Sequence, residues 1–172
     1  ATMRGYPQIF AGDELMFVSS NLKGAGDHGG LRVDFPGGWE GDEMNLFTAE
    51  GRAKAAKNTD GLAVPQGQAA DLFDFVSHLF QWRKTKDVIH NGKTMHFMTR
   101  DNTYGFFRYD DDDVVFVYVN NSLEPKNIPW TYYKEISEGL AGGVNVMTGE
   151  PCEVSDATVV EPQSVLIVEY TR

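Results

Sequence analysis

The chain has 172 residues, 41% of them hydrophobic and 23% charged, which is the composition of a globular protein rather than a disordered one. Its formal net charge of −10 argues against nucleic acid and anionic membranes as partners. No apolar run reaches the length of a membrane span, and the single cysteine, Cys152, has no second cysteine with which to form an internal disulfide.

The first predicted element is a short apolar strand over residues 3–12, which Gly12 ends. Asp13 and Glu14 follow it directly. A strand that ends in carboxylates and leads into a long loop is typical of the active-site rim of a barrel enzyme. Neighbouring residues of a strand point to opposite faces, so these two carboxylates cannot flank one bond. Glu14 is therefore predicted to be a structural residue of the rim.

A long irregular segment and one helix come next. Frequent glycines interrupt any period across residues 15–66, and a loop of this length is normally either functional or disordered. Apolar residues at three- and four-residue spacing then predict a helix over residues 68–84. They are Leu72, Phe75, Val76, Leu79 and Trp82. Phe73 and Phe80 widen this stripe, so we expect the helix to be buried on more than one side.

The remainder of the chain is predicted to be all-β, because short apolar segments alternate with turn residues. The segments are residues 93–99, 103–109, 114–120, 143–147, 158–160 and 164–170. Strands of this length and spacing indicate an antiparallel sandwich, and their alternating aromatic residues suit its core. Trp130, Tyr132 and Tyr133 fall outside the alternation. They either cap the sandwich or form a surface platform for a sugar.

The predicted fold is an α+β arrangement that is mainly β and has two unequal parts. One strand, one loop and one helix (residues 1–86) precede an all-β domain (residues 87–172). A lone strand and helix cannot bury both of their faces, so we expect part of the surface that covers them to be absent from this sequence.

Three motifs resemble, in order, the end of the catalytic domain in the α-amylase family, glycoside hydrolase family 13. Gly5-Tyr-Pro-Gln-Ile-Phe-Ala-Gly-Asp-Glu14 is similar to the eighth barrel strand of that family, which carries Gly-x-Pro-x-x-(Tyr/Phe)-x-Gly-x-Glu. Arg32-Val-Asp-Phe-Pro-Gly-Gly-Trp39 resembles the next loop in the neopullulanase, cyclomaltodextrinase and periplasmic starch-utilisation branch. Leu79-Phe-Gln-Trp-Arg83, followed by Val88-Ile-His-Asn-Gly92, resembles the eighth barrel helix and its passage into the C-terminal sandwich.

This resemblance implies that residues 1–86 are the last strand, loop and helix of a (β/α)8 barrel, and that residues 87–172 are the antiparallel C-terminal β-sandwich. Family members cleave α-glucosidic bonds with retention, using an Asp nucleophile, a Glu acid/base and a second Asp. All three precede the eighth strand, so the resemblance implies that this chain has no catalytic residue and is inactive alone. The parent enzyme would hydrolyse α-1,4 bonds of starch-derived oligosaccharides, with α-1,6 bonds as a second target, and would be periplasmic or secreted.

The same resemblance implies that the loop after the strand binds substrate. Family members often place an Asp and an Arg there that hydrogen-bond sugar hydroxyls, and the candidates here are Asp27 and Arg32. A salt bridge within the loop is the alternative. Phe35 and Trp39 flank a Pro-Gly-Gly turn, and they either stack on a glucose ring or fix the loop to the barrel.

No cofactor or metal site is predicted. His28, His90 and His96 have no Cys or His partner at zinc-ligand spacing. The run Asp110–Asp113 lacks the pattern of a calcium loop and is predicted to be a solvated turn. Calcium elsewhere in the parent enzyme stays open.

The predicted partners are an α-glucan oligosaccharide, bound in the parent active site, and the remainder of the barrel. The rival hypothesis is a stand-alone, non-catalytic carbohydrate-binding or interaction module. The two hypotheses differ in the apolar surface they leave. A barrel fragment exposes the apolar faces of Ile9, Phe10, Phe73 and Phe80, whereas a module buries them itself.

Overall fold

The computed structural model describes residues 1–16, 41, 50 and 68–172, with the backbone alone for residues 68–70. Residues 1–6 and 79–172 form one compact unit, and residues 7–78 form a second. The helix α1, Gln68–Lys84, begins in the second unit and ends in the first.

Residues 3–12 do not form the predicted strand. Their backbone consists of bends and coil, and the described part of the chain contains no strand that pairs with them. A strand is held by hydrogen bonds to a neighbour, so apolar composition alone does not produce one. A short 3-10 turn, Asp13–Leu15, follows and buries Leu15. The assignment of residues 1–86 to a barrel remains a prediction.

Helix α1 has the bounds that the apolar spacing predicts. Its burial differs from the expectation, because residues 71–82 are half-buried or exposed and Arg83 is the first buried residue after them. A helix buries a face only where another element lies against it, and Leu79 and Trp82 are the residues of α1 that pack against the large sheet.

The all-β region contains eight strands and two further short helices. The strands are β1 Lys93–His96, β2 Thr103–Tyr109, β3 Asp113–Asn120, β4 Lys126–Asn127, β5 Gly142–Asn145, β6 Pro151–Glu153, β7 Val159–Val160 and β8 Ser164–Thr171. The helices are α2 Asp87–His90 and α3 Lys134–Ser137, and a 3-10 turn occupies Trp130–Tyr132. Strands β4 and β6 were not predicted, since segments of two and three residues carry no measurable period.

The strands form a six-stranded sheet in the order β1-β2-β3-β8-β5-β6 and a two-stranded sheet of β4 and β7. Every ladder is antiparallel, which confirms the predicted antiparallel fold. Because side chains alternate between faces, β3 contributes Phe116 to one core and Val115 and Val117 to the other. The first core contains residues of β7 and of the segment 128–136, and the second contains Val88 and Ile89 of α2.

Two turns link the strands at opposite ends of β2. Between β1 and β2, Asp101 and Asn102 both adopt positive φ, at 47° and 60°, as a two-residue type I′ hairpin turn requires. Between β2 and β3, the Asp110 carboxylate accepts hydrogen bonds from the backbone N–H groups of Asp112 and Asp113.

The aromatic segment after β4 caps the first core. Trp130 and Tyr133 are 5% and 2% exposed, and the Tyr133 ring lies 5.1 Å from Phe116 and directly over Gly105. This arrangement confirms capping rather than a surface platform for these two residues. Tyr132 is half-buried, and the Arg100 guanidinium lies 4.0 Å from its ring centre.

Candidate functional site

The four predicted sugar-contacting residues, Asp27, Arg32, Phe35 and Trp39, lie outside the described residues, so their roles remain predictions. Glu14 is described. Its Oε2 accepts a hydrogen bond from the backbone N–H of Gly12 at 3.0 Å, and Gly12 has a positive φ of 103°. The Glu14 carboxylate thus stabilises the bend that precedes the 3-10 turn. Its place at an active-site rim stays a prediction.

Two of the histidines considered as metal ligands, His90 and His96, have other partners, and His28 lies outside the described residues. His90 Nε2 lies 3.0 Å from the carbonyl of Arg83, and His96 Nδ1 hydrogen-bonds to the hydroxyl of Tyr104. Burial, followed by the nearby Asp110, raises the pKa of Asp113. No group of three or more His, Cys, Asp or Glu that could hold a metal ion occurs within residues 1–16 and 68–172.

A dense set of polar contacts joins the end of α1 and the helix α2 to residues 1–5 and to the large sheet. We call this set the joint; its charged members are Arg4, Arg83, Lys86, Arg108 and Glu169. All of them lie in the unit formed by residues 1–6 and 79–172.

Arg83 holds the first residues of the chain. Its guanidinium donates to the carbonyls of Met3 at 2.7 Å and Gly5 at 2.5 Å, and to that of Ala1. The side chain is buried, and this burial lowers its pKa from the ordinary value of arginine. Arg4 makes the return contact, donating to the carbonyl of Asn91 at 3.2 Å. Residues 1–5 are therefore attached to the chain around α2 from both sides.

Arg108 holds α2 on the sheet. Its side chain is 1% exposed and donates to the carbonyls of Val88 at 3.1 Å and Ile89 at 2.8 Å, and to the Thr94 hydroxyl. These carbonyls belong to a helix of four residues, and that of Val88 also accepts a hydrogen bond from the backbone N–H of Gly92 at 3.2 Å. Burial lowers the pKa of Arg108, and the positive charges of Arg4 and Arg83 lower it further.

Glu169 completes the joint from β8. Its carboxylate forms an ion pair with Lys86 and accepts a hydrogen bond from the indole Nε1 of Trp82 at 3.2 Å. Lys86 lies between α1 and α2, so one carboxylate fixes both the end of the long helix and the turn after it. Both charged side chains are mostly shielded from solvent, which strengthens the attraction relative to a surface pair.

The polar contacts of the joint attach elements of the fold to one another, and they do not form a catalytic arrangement. The acceptors of its three arginines within the described residues are neutral oxygens, and the joint pairs no nucleophile with a base. Sequence analysis did not identify Arg108 or Glu169. A signal was present, because each is a charged residue within an otherwise apolar strand: Phe-Phe-Arg108-Tyr in β2 and Ile-Val-Glu169-Tyr in β8.

None of the helices that the structure describes is both long and apolar enough to cross a membrane.

Solved structures with a similar fold include a variant of AmyP and an α-amylase from Anoxybacillus. The chain aligns with a variant of AmyP in complex with maltotriose at a TM-score of 0.51 and 19% identity, covering 65% of this chain and 23% of AmyP. An α-amylase from Anoxybacillus aligns at a TM-score of 0.49 and 14% identity, covering 63% of this chain and 25% of the other. The chain thus spans about a quarter of the length of these structures. The large antiparallel sheet, with the elements that pack against it, has the fold of the C-terminal β-sandwich of α-amylase-type enzymes.

A match to a protein-family profile gives a more specific similarity than the solved structures do. Residues 94–169 match the profile of the cyclo-malto-dextrinase C-terminal domain. This region runs from β1 to β8 and includes the whole of both sheets apart from their outermost residues. Residues 94–169 are therefore similar to the C-terminal domain of cyclo-malto-dextrinases, in agreement with the resemblance of the sequence motifs to the α-amylase family.

Proposed function

We propose that the 172 residues are the C-terminal part of an α-glucan hydrolase that cleaves α-1,4 bonds of starch-derived oligosaccharides with retention, and α-1,6 bonds as a second target. The observation that carries this proposal is the match of residues 94–169 to the C-terminal domain of cyclo-malto-dextrinases. Structures of AmyP with maltotriose and with maltose support an α-glucan as the ligand of the parent enzyme.

In this proposal the sandwich supports the catalytic domain mechanically. The joint attaches residues 1–5 through Arg83 and the helix α2 through Arg108. The catalytic carboxylates belong to the rest of the parent barrel, and the chain alone is inactive.

Exposed apolar side chains favour this proposal over a stand-alone module. Ile9 and Phe10 are 39% and 54% exposed, as expected of a segment that another part of a barrel covers. Phe73 and Phe80 are half-buried, so their exposure does not distinguish the two hypotheses. The proposed partner is the remainder of the barrel. The proposed location, periplasmic or secreted, follows from the starch-utilisation branch and is tested by cell fractionation.

The experiment is to incubate the complete protein that contains this chain with maltoheptaose, pullulan and γ-cyclodextrin and to follow the products by proton NMR. The proposal expects hydrolysis of maltoheptaose with the α-anomer appearing first, before mutarotation. Release of the β-anomer first, or no hydrolysis of any of the three substrates, would contradict it.

A further inference from the structure

A second polar surface lies away from the joint, where the turn between β1 and β2 meets the end of β3. A groove of about 450 Å³ opens there. It is lined by Thr99, Arg100, Asp101, Asn102, Thr103, Tyr104, Val119 and Asn121. Its volume lies within the range of about 300–1,000 Å³ that is usual for small-molecule sites.

Two asparagines of the groove have side-chain amides with no hydrogen-bond partner within the described residues. Six asparagines are described, and the side chains of Asn91, Asn120, Asn127 and Asn145 are all hydrogen-bonded within the protein. The other two, Asn102 and Asn121, line the groove. Their backbones are joined by a hydrogen bond of 2.9 Å from the N–H of Asn121 to the carbonyl of Asn102. The two residues whose carboxamides have no hydrogen-bond partner within the described residues are therefore joined through their backbones in the lining of the groove.

An aromatic surface lies beside these amides. Tyr104 lines the groove, and the ring of His96, which is outside the lining, lies almost parallel to the Tyr104 ring, with an angle of 10° and a centroid distance of 6.2 Å. The hydrogen bond between His96 Nδ1 and the Tyr104 hydroxyl joins the two rings by their edges. A pyranose fits such a pair of features, because its C–H face packs on an aromatic surface while its hydroxyls reach donors and acceptors around it.

The lining of the groove carries no net charge, because it contains one acidic residue, Asp101, and one basic residue, Arg100. Asp101 is the acidic residue of the lining, and the chain has a net charge of −10, so an anionic ligand is disfavoured. The one cation of the lining, Arg100, has its guanidinium over the ring of Tyr132. We propose that this groove binds a neutral gluco-oligosaccharide, with Asn102 and Asn121 hydrogen-bonding its hydroxyls and Tyr104 packing against a sugar ring. The proposal does not depend on hydrolysis by the parent enzyme.

The test is an NMR titration of the ¹⁵N-labelled 172-residue chain with maltoheptaose at concentrations up to about 10 mM. We expect saturable shifts of the backbone amides of residues 99–104 and 119–121. Replacing Asn102 by Gly keeps the positive φ of that turn, and replacing Asn121 by Ala removes the second amide. The double variant is expected to bind about tenfold more weakly, the effect of losing two hydrogen bonds.

The matched control is Asp111→Ala, which removes an exposed polar side chain from the turn at the opposite end of β2 and β3. This variant should bind maltoheptaose as tightly as the unsubstituted 172-residue chain. The proposal is overturned by the absence of saturable shifts, by shifts confined to other residues, or by equal loss of binding in the control. A preserved amide spectrum of the double variant shows that weaker binding is not caused by unfolding. None of these outcomes depends on whether the complete protein hydrolyses glucans.

Discussion

Replacing Arg108 by Met tests whether the joint holds the described fold together. Met has a similar length and no hydrogen-bonding group on its end, so the substitution removes the guanidinium and leaves most of the apolar packing. The side chain lies in the middle of the sheet face that α2 covers, and it donates to the carbonyls of Val88 and Ile89 and to the Thr94 hydroxyl. All three groups lose the guanidinium in the variant, whereas the Val88 carbonyl keeps its hydrogen bond from the backbone N–H of Gly92.

The expected loss follows from two opposing contributions. A hydrogen bond to a charged group contributes about 1.5–3 kcal/mol, so three of them give roughly 4–9 kcal/mol. Desolvation of the buried guanidinium costs several kcal/mol, and Arg4 and Arg83 add repulsion, as the lowered pKa of Arg108 indicates. The difference is a destabilisation of about 3 kcal/mol, a large part of the total stability of about 5–15 kcal/mol that is usual for a domain.

Urea unfolding followed by circular dichroism measures this loss, and thermal unfolding should show a fall of about 10 °C. Arg172→Met is the control, because Arg172 is exposed and a similar substitution there should change stability by less than about 0.5 kcal/mol. Arg108→Lys keeps the charge but not the fork of donors, and should fall between the parent chain and the Met variant. A loss in Arg108→Met no larger than in the control would refute the role given to the joint.

Two further predictions concern the aromatic core. Gly105→Ala should destabilise the chain by about 2 kcal/mol in thermal unfolding, because a Cβ there would lie 2.6 Å from the hydroxyl oxygen of Tyr133. In the control, Gly142→Ala, the added Cβ meets open space, so its effect on stability should be nearly zero. Equal effects of the two substitutions would contradict the packing described. Burial raises the pKa of Tyr133 and of Tyr170 above the ordinary value of about 10, so stability that is fully present below about pH 10 should fall as the pH rises further. Tyr170→Phe removes a buried hydroxyl with no partner among the described residues, so it should reduce this loss of stability. The measurement is the urea midpoint at pH values from about 8 to about 11. A pH dependence of the midpoint equal to that of the unsubstituted chain would count against this cause.

Local patterns in the sequence predict much of this fold. The three- and four-residue spacing of apolar side chains gives helix α1 its bounds at residues 68 and 84. Strand β2 likewise has its predicted bounds, 103–109, because turn residues with positive φ precede it and an Asp-rich turn follows. In each case the signal and the element lie in the same short stretch, so one sequence suffices to find them.

Contacts between distant residues account for what the sequence did not predict. Arg108 finds its acceptors in α2, about twenty residues earlier, and Glu169 finds Lys86 more than eighty residues earlier. No spacing rule connects such pairs. The failure of residues 3–12 to form a strand has the same origin, since a strand depends on a neighbour that its own sequence does not specify.

Some of the candidate sugar-binding residues were found from the sequence, and others only from contacts in the structure. Asp27 and Arg32 were identified through a family resemblance and remain predictions. The groove at Asn102 and Asn121 could not be found in this way, because its lining comes from two turns brought together by the β2–β3 pairing. The lack of side-chain hydrogen-bond partners within the described residues distinguishes these two asparagines from the other four described ones.

The central claim is that the chain is the non-catalytic C-terminal part of an α-glucan hydrolase. The most direct measurement compares reducing-end release from maltoheptaose by the purified 172-residue chain and by the complete protein that contains it, at equal molar concentration. We predict hydrolysis by the complete protein and none by the chain alone. Turnover by the chain alone, or no activity of the complete protein on maltoheptaose, would contradict the claim.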